Sequence, residues 1–228
     1  MMIEVVKKQV YELLKNDDSG HDYKHIERVL NMSLKFAQKE NVNLDIISLI
    51  ALLHDVDDYK LFGKEYSNNL INAKKIMNNA KVPLEIQSIV LSELSCIGYH
   101  NRLKGIKPKT IEGMIVSDAD MCDCMGITGI LRIYKYTLKY NKPFFDKNIF
   151  PQDVNPDVYG NKCADTSVCH IFDKVLNLKD LMLTCEGRKE ALLRYDIVIM
   201  FLYNLFREED APDWNNYLTN YIKLKEKI

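Results

Sequence analysis

The residues of this chain that could do chemistry stand directly after apolar runs. Residues 44–53 are largely apolar and are followed at once by His54 and Asp55. A second run, MIV, shortly precedes Asp118 and Asp120. An imidazole or a carboxylate beside so apolar a segment is costly to desolvate unless it is paired or bound to a cation. Taken alone, however, the His54–Asp55 pair is better explained as the solvent-exposed end of a buried helix.

A further imidazole strengthens the case for a bound cation. His25 stands on a separate helical segment, with Arg28 one turn later on the same face. If the helices that carry His25, His54–Asp55 and Asp120 pack together, two imidazoles and two carboxylates converge. This mixed set of nitrogen and oxygen ligands suits Mn²⁺, Fe²⁺, Co²⁺, Ni²⁺ or Zn²⁺ and leaves positions for water and substrate. The residues therefore indicate a candidate metal centre.

The elements that must position these residues are helices throughout. Gly and Pro are scarce, at 9 and 6 residues, and no segment of useful length alternates like a β-strand. Apolar residues recur at helical spacing instead. The pattern predicts an all-α fold with helices over about 2–16, 21–40, 44–55, 66–79, 84–97, from 110 onward, 126–140, 166–178, 189–207 and 212–225.

Residues 141–165 interrupt this helical pattern. They contain Pro143, Pro151, Pro156 and Gly160, several aromatic residues and no clear period. A loop of this length is often functional, so the segment is interpreted as an ordered loop or a lid over the site. A flexible insertion explains the same composition equally well.

Composition limits the class of protein. The 228 residues are expected to form a single domain over 1–228, and the formal net charge of −1 gives no support for a nucleic-acid or anionic-membrane surface.

The amino terminus lacks the apolar core of a signal peptide, and no window is apolar enough to span a bilayer. Six cysteines without an export signal are expected to be reduced thiols, and Cys122 and Cys124 lack the spacing of a structural zinc site. A cytoplasmic protein is expected.

The motifs resemble those of the HD-domain metal-dependent phosphohydrolase superfamily. The resemblance rests on three sequence patterns, which are H-x-x-R-V from His25, A-L-L-H-D from Ala51 and D-A-D from Asp118. Longer segments, such as SGHDYKHIERV and CHIFDKVLNLKDLM, resemble a bacterial branch of nucleotide pyrophosphohydrolases, and the resemblance covers roughly 19–205. It implies a helical HD-domain globule with a divalent metal (Mn, Fe, Co, Ni, Zn or Mg) held by His25, His54, Asp55 and Asp120. Asp118 would then support a ligand without binding the metal itself.

Two further residues are candidates for catalysis. Asp58 stands three residues after the aspartate of the HD pair, where the family often has an acid or a His that handles a proton or orients water. Arg28 could hold a phosphate, and it could equally pair with Asp55 or Asp118 as structural support. Asp57 is assigned to the surface.

Candidate substrate-binding residues follow from charge and from the resemblance. Lys60 follows the acidic cluster and could bind a phosphate. His100 resembles a family position that faces the pocket, and His170 and Lys174 lie one turn apart in a segment that matches the branch. For His170 and Lys174, a core histidine and a surface lysine remain the alternative.

The function expected from these residues is hydrolysis of a nucleotide or another small phosphate compound. Nucleoside triphosphate pyrophosphohydrolysis is the first expectation and phosphomonoester hydrolysis the second. A non-catalytic metal- or nucleotide-binding sensor is a further alternative, although all four ligand positions are filled. A diiron oxygenase would require more His or Asp ligands near this set. The expected partner is a small phosphorylated molecule, neither nucleic acid nor membrane, and a homodimer is compatible with the sequence.

Overall fold

The fold is all-α, as the sequence pattern predicts. The computed structural model describes residues 2–17, 22–151 and 166–225, and these contain no β-strand. Two 3₁₀ segments, Ala37–Lys39 and Val175–Leu181, accompany the α-helices. In chain order the α-helices of the described residues are α1 (Met2–Leu14), α2 (Tyr23–Phe36), α3 (Leu44–Leu53), α4 (Tyr59–Phe62), α5 (Lys64–Asn69), α6 (Ile71–Asn79), α7 (Leu84–Leu94), α8 (Tyr99–Leu103), α9 (Ile111–Asp123), α10 (Gly126–Lys139), α11 (Ser167–Asp173), α12 (Cys185–Glu208) and α13 (Pro212–Lys225).

Helix α3 lies at the centre of the core. Every residue from Ile46 to Leu53 is buried, because neighbouring helices cover all sides of this short apolar helix. It packs against α1, α2, α7 and α9, and α2 and α9 also pack against each other. The three helices α2, α3 and α9 therefore bring together the parts of the chain that carry His25, His54 and Asp120.

Polar side chains fix where these central helices begin. The carboxylate of Asp22 accepts a hydrogen bond from the backbone N–H of His25 at the start of α2. Asn43 and Thr110 cap α3 and α9 in the same way. Each cap satisfies a backbone N–H that the helix itself leaves unpaired, and such a residue stabilises a helix by about 1 kcal/mol.

Asp57 is buried, so its assignment to the surface was wrong. Its side chain accepts hydrogen bonds from the backbone N–H groups of Asn72 at 2.8 Å and Ala73 at 2.9 Å. These groups lie in the first turn of α6. The helix predicted over 66–79 is in fact two helices, because Leu70 has a left-handed backbone (φ 50°) between α5 and α6, and Asp57 caps the second of them.

Helix α12 begins at Cys185, four residues before the predicted start. Thr184 caps it, and the buried Asp118 accepts hydrogen bonds from the backbone N–H groups of Leu183 and Thr184 and from the Thr184 hydroxyl. Gly187 allows this close approach, since a Cβ there would lie within 2.3 Å of Asp118 Oδ2. Asp118 therefore joins α9 to the start of α12.

The loop that follows α10 packs against the carboxyl-terminal helices where it is described. Phe145 and Phe150 contact Trp214, with ring centroids 5.2 and 4.4 Å apart. The lid interpretation concerns 141–165, of which 152–165 lie outside the described residues. Within the described part of the chain, no helix is both long enough and apolar enough to span a membrane.

Candidate metal centre

Four side chains from α2, α9 and the end of α3 converge on one point. The Nε2 atoms of His25 and His54 are 3.1 Å apart. His25 Nε2 lies 3.4 Å from Asp55 Oδ2 and 3.4 Å from Asp120 Oδ1, and His54 Nε2 lies 3.7 Å from each of the same oxygens. Residues 95 positions apart in the sequence therefore meet at one point.

The outer ring nitrogens of both imidazoles are occupied. Nδ1 of His54 lies 2.8 Å from the carbonyl oxygen of Ala51, which can only accept, so this nitrogen carries the proton. Nδ1 of His25 lies 2.7 Å from the Asp123 carboxylate, which fixes the same tautomer. Metal-binding histidines commonly donate their second N–H to a carbonyl or carboxylate in this way. Both Nε2 atoms consequently face each other, an arrangement that requires either a proton or a metal cation between them.

The spacing fits a single divalent cation. Ligand atoms about 2.0–2.2 Å from one ion, at angles between octahedral and tetrahedral, lie roughly 2.8–3.6 Å from one another. The separations between the imidazole and carboxylate atoms are 3.1–3.7 Å, so they run from the middle of that range to just beyond its upper limit. The ligand atoms of His25, His54 and Asp120 lie close enough together to share one ion, and Asp55 Oδ2 lies 3.4 Å from Nε2 of His25 and 3.7 Å from Nε2 of His54. The four residues could therefore hold a metal ion.

The electrostatics of the site favour positive charge. Burial and the neighbouring Arg132 lower the pKa of His25, but hydrogen bonds to Asp120, Asp123 and Asp55 outweigh them and raise it to about 10. Burial likewise raises the pKa of Asp120, yet His25 and His54 bring it below its usual value. The carboxylates that hold a proton on His25 in this way would equally attract a metal cation.

Asp123, and not Asp118, contacts one of the candidate metal ligands, His25. Its fully buried carboxylate accepts hydrogen bonds from Nδ1 of His25, from Nε and Nη2 of Arg28 at 2.8 and 2.9 Å, and from Nη1 of Arg132 at 3.1 Å. Burial raises the pKa of Asp123, but His25 and the two arginines hold it well below its usual range. Asp118 bonds instead to the segment before α12, so its predicted support of a metal ligand was wrong.

Each of the two predicted catalytic residues, Arg28 and Asp58, has a defined hydrogen-bond partner. Arg28 pairs with Asp123, not with Asp55 or Asp118, and its side chain remains about one-third exposed. Asp58 caps the short helix α4, with Oδ1 accepting a hydrogen bond from the backbone N–H of Lys60 at 2.8 Å. Its other oxygen takes no hydrogen bond from the described residues.

Three of the four predicted substrate-binding residues share one electropositive region. His170 is half-buried on α11, and burial together with the positive charges of Lys174, Lys60 and Lys142 lowers its pKa to about 3. The Lys174 ammonium also lies 5.3 Å from the ring centre of Tyr99. The fourth residue, His100, follows Tyr99 on α8 and is exposed.

Sequence reasoning missed Asp123, Arg132 and Lys142. Nothing local in the sequence shows that a carboxylate 98 residues after His25 reaches its ring. The sequence did offer one signal for Asp123, because an acid at the end of the helix that carries Asp120 is a candidate for the same site. Lys142 stands in the irregular segment after α10, where no period indicates the direction of a side chain.

Comparisons with known proteins agree with this geometry. Residues 22–125 match the HD domain family model. An HD-superfamily hydrolase from Bacillus thuringiensis is 30% identical, with 92% of this chain and 97% of that chain covered and a TM-score of 0.69. A crystal structure from Lactobacillus plantarum is 25% identical, with the same coverage and a TM-score of 0.80.

A further relative is the uncharacterized protein YpgQ of Bacillus subtilis. It is 29% identical over 216 residues, which cover 92% of this chain and 93% of YpgQ. YpgQ has been solved in complex with ADP, and that structure has a TM-score of 0.68 over 91% of this chain and 94% of its own. From the matched domain, the similar hydrolase and the converging motif residues, we conclude that the chain belongs to the HD-domain phosphohydrolase superfamily.

Proposed function

We propose that this protein is a metal-dependent phosphohydrolase that cleaves nucleoside triphosphates to monophosphate and pyrophosphate. The observation that carries the proposal is the convergence of the His25 and His54 Nε2 atoms with the Asp55 and Asp120 carboxylates, at 3.1–3.7 Å. A divalent ion held by these four residues would lower the pKa of a bound water and neutralise charge on a phosphate. The remaining roles belong to residues around this centre.

Asp58 is the proposed proton-transfer residue. It lies one turn beyond Asp55, and one of its carboxylate oxygens is held by the N–H of Lys60 while the other takes no hydrogen bond from the described residues. A carboxylate held at one oxygen can accept a proton from attacking water or deliver one to the leaving oxygen. Arg28, anchored on Asp123 with its side chain partly exposed, would add positive charge near His25, which binds the same carboxylate.

The phosphates of the substrate would bind the electropositive region around His170. Burial and the charges of Lys174, Lys60 and Lys142 lower the pKa of His170 to about 3, so this imidazole stays neutral at pH 7 and would offer a hydrogen bond without a charge. A polyphosphate carries several negative charges and gains most from a group of lysines. His100, the exposed residue that follows Tyr99 on α8, would contact the substrate at its edge. The ADP bound to the relative YpgQ supports a nucleotide as the substrate class.

An assay of released products tests the proposal. The purified chain is incubated with Mn²⁺, Co²⁺ or Mg²⁺ and with nucleoside triphosphates, diphosphates and monophosphates. Pyrophosphate from triphosphates is expected, whereas orthophosphate from monophosphates would indicate a phosphomonoesterase. Asp55→Ala should abolish release, while Asp45→Asn, an exposed carboxylate at the other end of α3, should retain it.

Turnover and metal binding, measured for the wild type and for Asp58→Asn, distinguish an enzyme from a non-catalytic sensor. If turnover falls by about 10²–10⁴-fold while the metal still binds, Asp58 acts as a proton-transfer residue. If the wild-type chain binds metal and nucleotide but hydrolyses none of the panel, a non-catalytic sensor is the better description.

A further inference from the structure

Lys174 stands at the point where a helix ends. It follows the last residue of α11, and from it the chain continues into the 3₁₀ segment Val175–Leu181. Its backbone angles, φ −124° and ψ −62°, are not helical. Lys174 is half-buried and forms no ion pair with a carboxylate of the residues that the structure describes. Because a lysine side chain is long and flexible, another part of the chain must hold its ammonium group in place.

Tyr99, the first residue of α8, contacts both the side chain of Lys174 and the backbone just before it. The centre of its ring lies 5.3 Å from Lys174 Nζ, within the distance of about 6 Å at which an aromatic face attracts a cation. Its hydroxyl group donates a hydrogen bond to the carbonyl oxygen of Asp173 at 3.3 Å. Tyr99 is therefore placed to fix the direction of the Lys174 side chain.

The carbonyl group that Tyr99 binds is also held from a second side. Nδ2 of Asn177 donates to the carbonyl oxygens of Phe172 at 3.0 Å and Asp173 at 3.2 Å. The hydroxyl group of Tyr221, on α13, donates to Oδ1 of Asn177 at 3.0 Å. A carbonyl oxygen has two lone pairs and can accept from both Tyr99 and Asn177. The end of α11 is consequently held between α8 and α13.

Helix α8 is itself attached to the segment that follows Lys174. Nη2 of Arg102, three residues after Tyr99, donates to the carbonyl oxygen of Leu181 at 2.5 Å. Gly98 precedes the helix with φ 112°, a backbone conformation that residues with a side chain rarely adopt. Tyr99 thus lies on a short helix that is bonded to both ends of the 3₁₀ segment.

An aromatic ring holds an ammonium group without cancelling its charge. A carboxylate in the place of Tyr99 would form an ion pair, and Lys174 would then have less positive charge to offer an anion. The ring attracts the cation through its quadrupole and carries no net charge. A lysine that is already held in place also loses less side-chain entropy when it binds a ligand. Both properties suit a residue that prepares Lys174 for a phosphate.

We propose that Tyr99 is a positioning residue for substrate binding, which holds the ammonium group of Lys174 next to His170 for a phosphate of the substrate. His170 lies one turn before Lys174 on α11, and the backbone N–H of Lys174 donates to its carbonyl oxygen at 3.0 Å. Tyr99 acts through Lys174 and does not touch the substrate. The inference rests on the proposed function, in which Lys174 binds a phosphate.

An NMR measurement without substrate tests the contact between Tyr99 and Lys174. Reductive methylation with isotope-labelled formaldehyde gives each lysine its own signal, and the loss of one signal in Lys174→Arg assigns Lys174. We expect the ring current of Tyr99 to displace this signal upfield in the wild type. Tyr99→Phe, which keeps the ring, should retain the displacement, and Tyr99→Leu should abolish it. A wild-type signal in the range of exposed lysines, or a displacement that persists in Tyr99→Leu, overturns the proposal.

A double-variant cycle tests whether Tyr99 acts through Lys174. Tyr99→Leu should raise KM for a nucleoside triphosphate by up to about tenfold and leave kcat nearly unchanged. In a Lys174→Ala background it should have no further effect, because the group that it positions is already gone. Tyr11→Leu, which replaces a tyrosine that is 47% exposed on α1, is the control. Effects of Tyr99→Leu and Lys174→Ala that add, or a loss confined to kcat, would overturn the positioning role.

The two measurements keep this inference apart from the proposed function. A Lys174 signal that depends on Tyr99, in a chain that hydrolyses no nucleotide, would support the positioning and contradict only the proposed function. If Tyr99→Leu does not fold, Tyr99→Met replaces it, because a flexible methionine fills the space left by the ring.

Discussion

Nδ1 of His25 donates a hydrogen bond to Asp123 at 2.7 Å, and this bond connects the proposed metal centre to two arginines. Arg28 and Arg132 bind the same carboxylate, so Asp123 is held from three sides. The bond sets the tautomer of His25 and thereby directs its Nε2 lone pair toward His54. The readiness of His25 to bind a metal thus depends on a residue that does not touch the metal.

Asp123→Asn tests this dependence. The substitution keeps the size of the side chain but removes the charge that orients the His25 ring. We expect metal affinity to fall by about 10–100-fold, the usual cost of losing such a supporting carboxylate. Isothermal titration with Mn²⁺ measures the change, and Asp45→Asn serves as the control. An unchanged affinity would mean that His25 is oriented by other contacts.

Asp57 and Asp58 are adjacent carboxylates for which we expect opposite effects. Asp57 caps α6 through Asn72 and Ala73, so Asp57→Ala should lower the free energy of unfolding by about 1–2 kcal/mol. The folded variant should retain its turnover number. Urea unfolding and a pyrophosphate-release assay give the two quantities. A loss of turnover in folded Asp57→Ala, without a loss in Asp58→Asn, would reverse the assignment.

Lys174→Ala tests the electropositive region. The lost charge-assisted contact should raise KM for a nucleoside triphosphate by about tenfold and leave kcat nearly unchanged. The effect should be smaller for a monophosphate, which carries fewer negative charges. Lys35→Ala, an exposed lysine on α2, is the control. Equal KM values for Lys174→Ala and the wild type would place the phosphates elsewhere.

His170 should make the protein less stable in mild acid. Burial and the nearby lysines lower its pKa to about 3 in the fold, against about 6.5 in the unfolded chain. The unfolded chain therefore takes up a proton that the folded chain does not, so stability is lost as pH falls below about 6.5. We expect His170→Gln to show a smaller drop in Tm between pH 7.5 and pH 5.5 than the wild type, with His100→Gln as the control. An identical drop in His170→Gln and the wild type would contradict a neutral His170 in the folded chain.

The predictable part of this molecule is the part that depends on local pattern. Helical periodicity located most helices, and the end of an apolar run marked His54, Asp55 and Asp120, because apolar residues must be buried and ionisable ones then need a partner. Asp57 and Asp123 could not be assigned in this way. Their partners lie 15 and 98 residues away, and only the packing of α6 and α2 against them shows what each carboxylate does.

Anomalous diffraction from a crystal soaked in Mn²⁺ tests the metal centre most directly. We expect one peak between the Nε2 atoms of His25 and His54, about 2.0–2.3 Å from each and within reach of Asp55 and Asp120. The same soak of Asp120→Ala should give a weak peak or none. An ordered Mn²⁺ bound elsewhere, with these four residues in their present positions and nothing between them, would contradict the metal centre and the hydrolase proposal that rests on it.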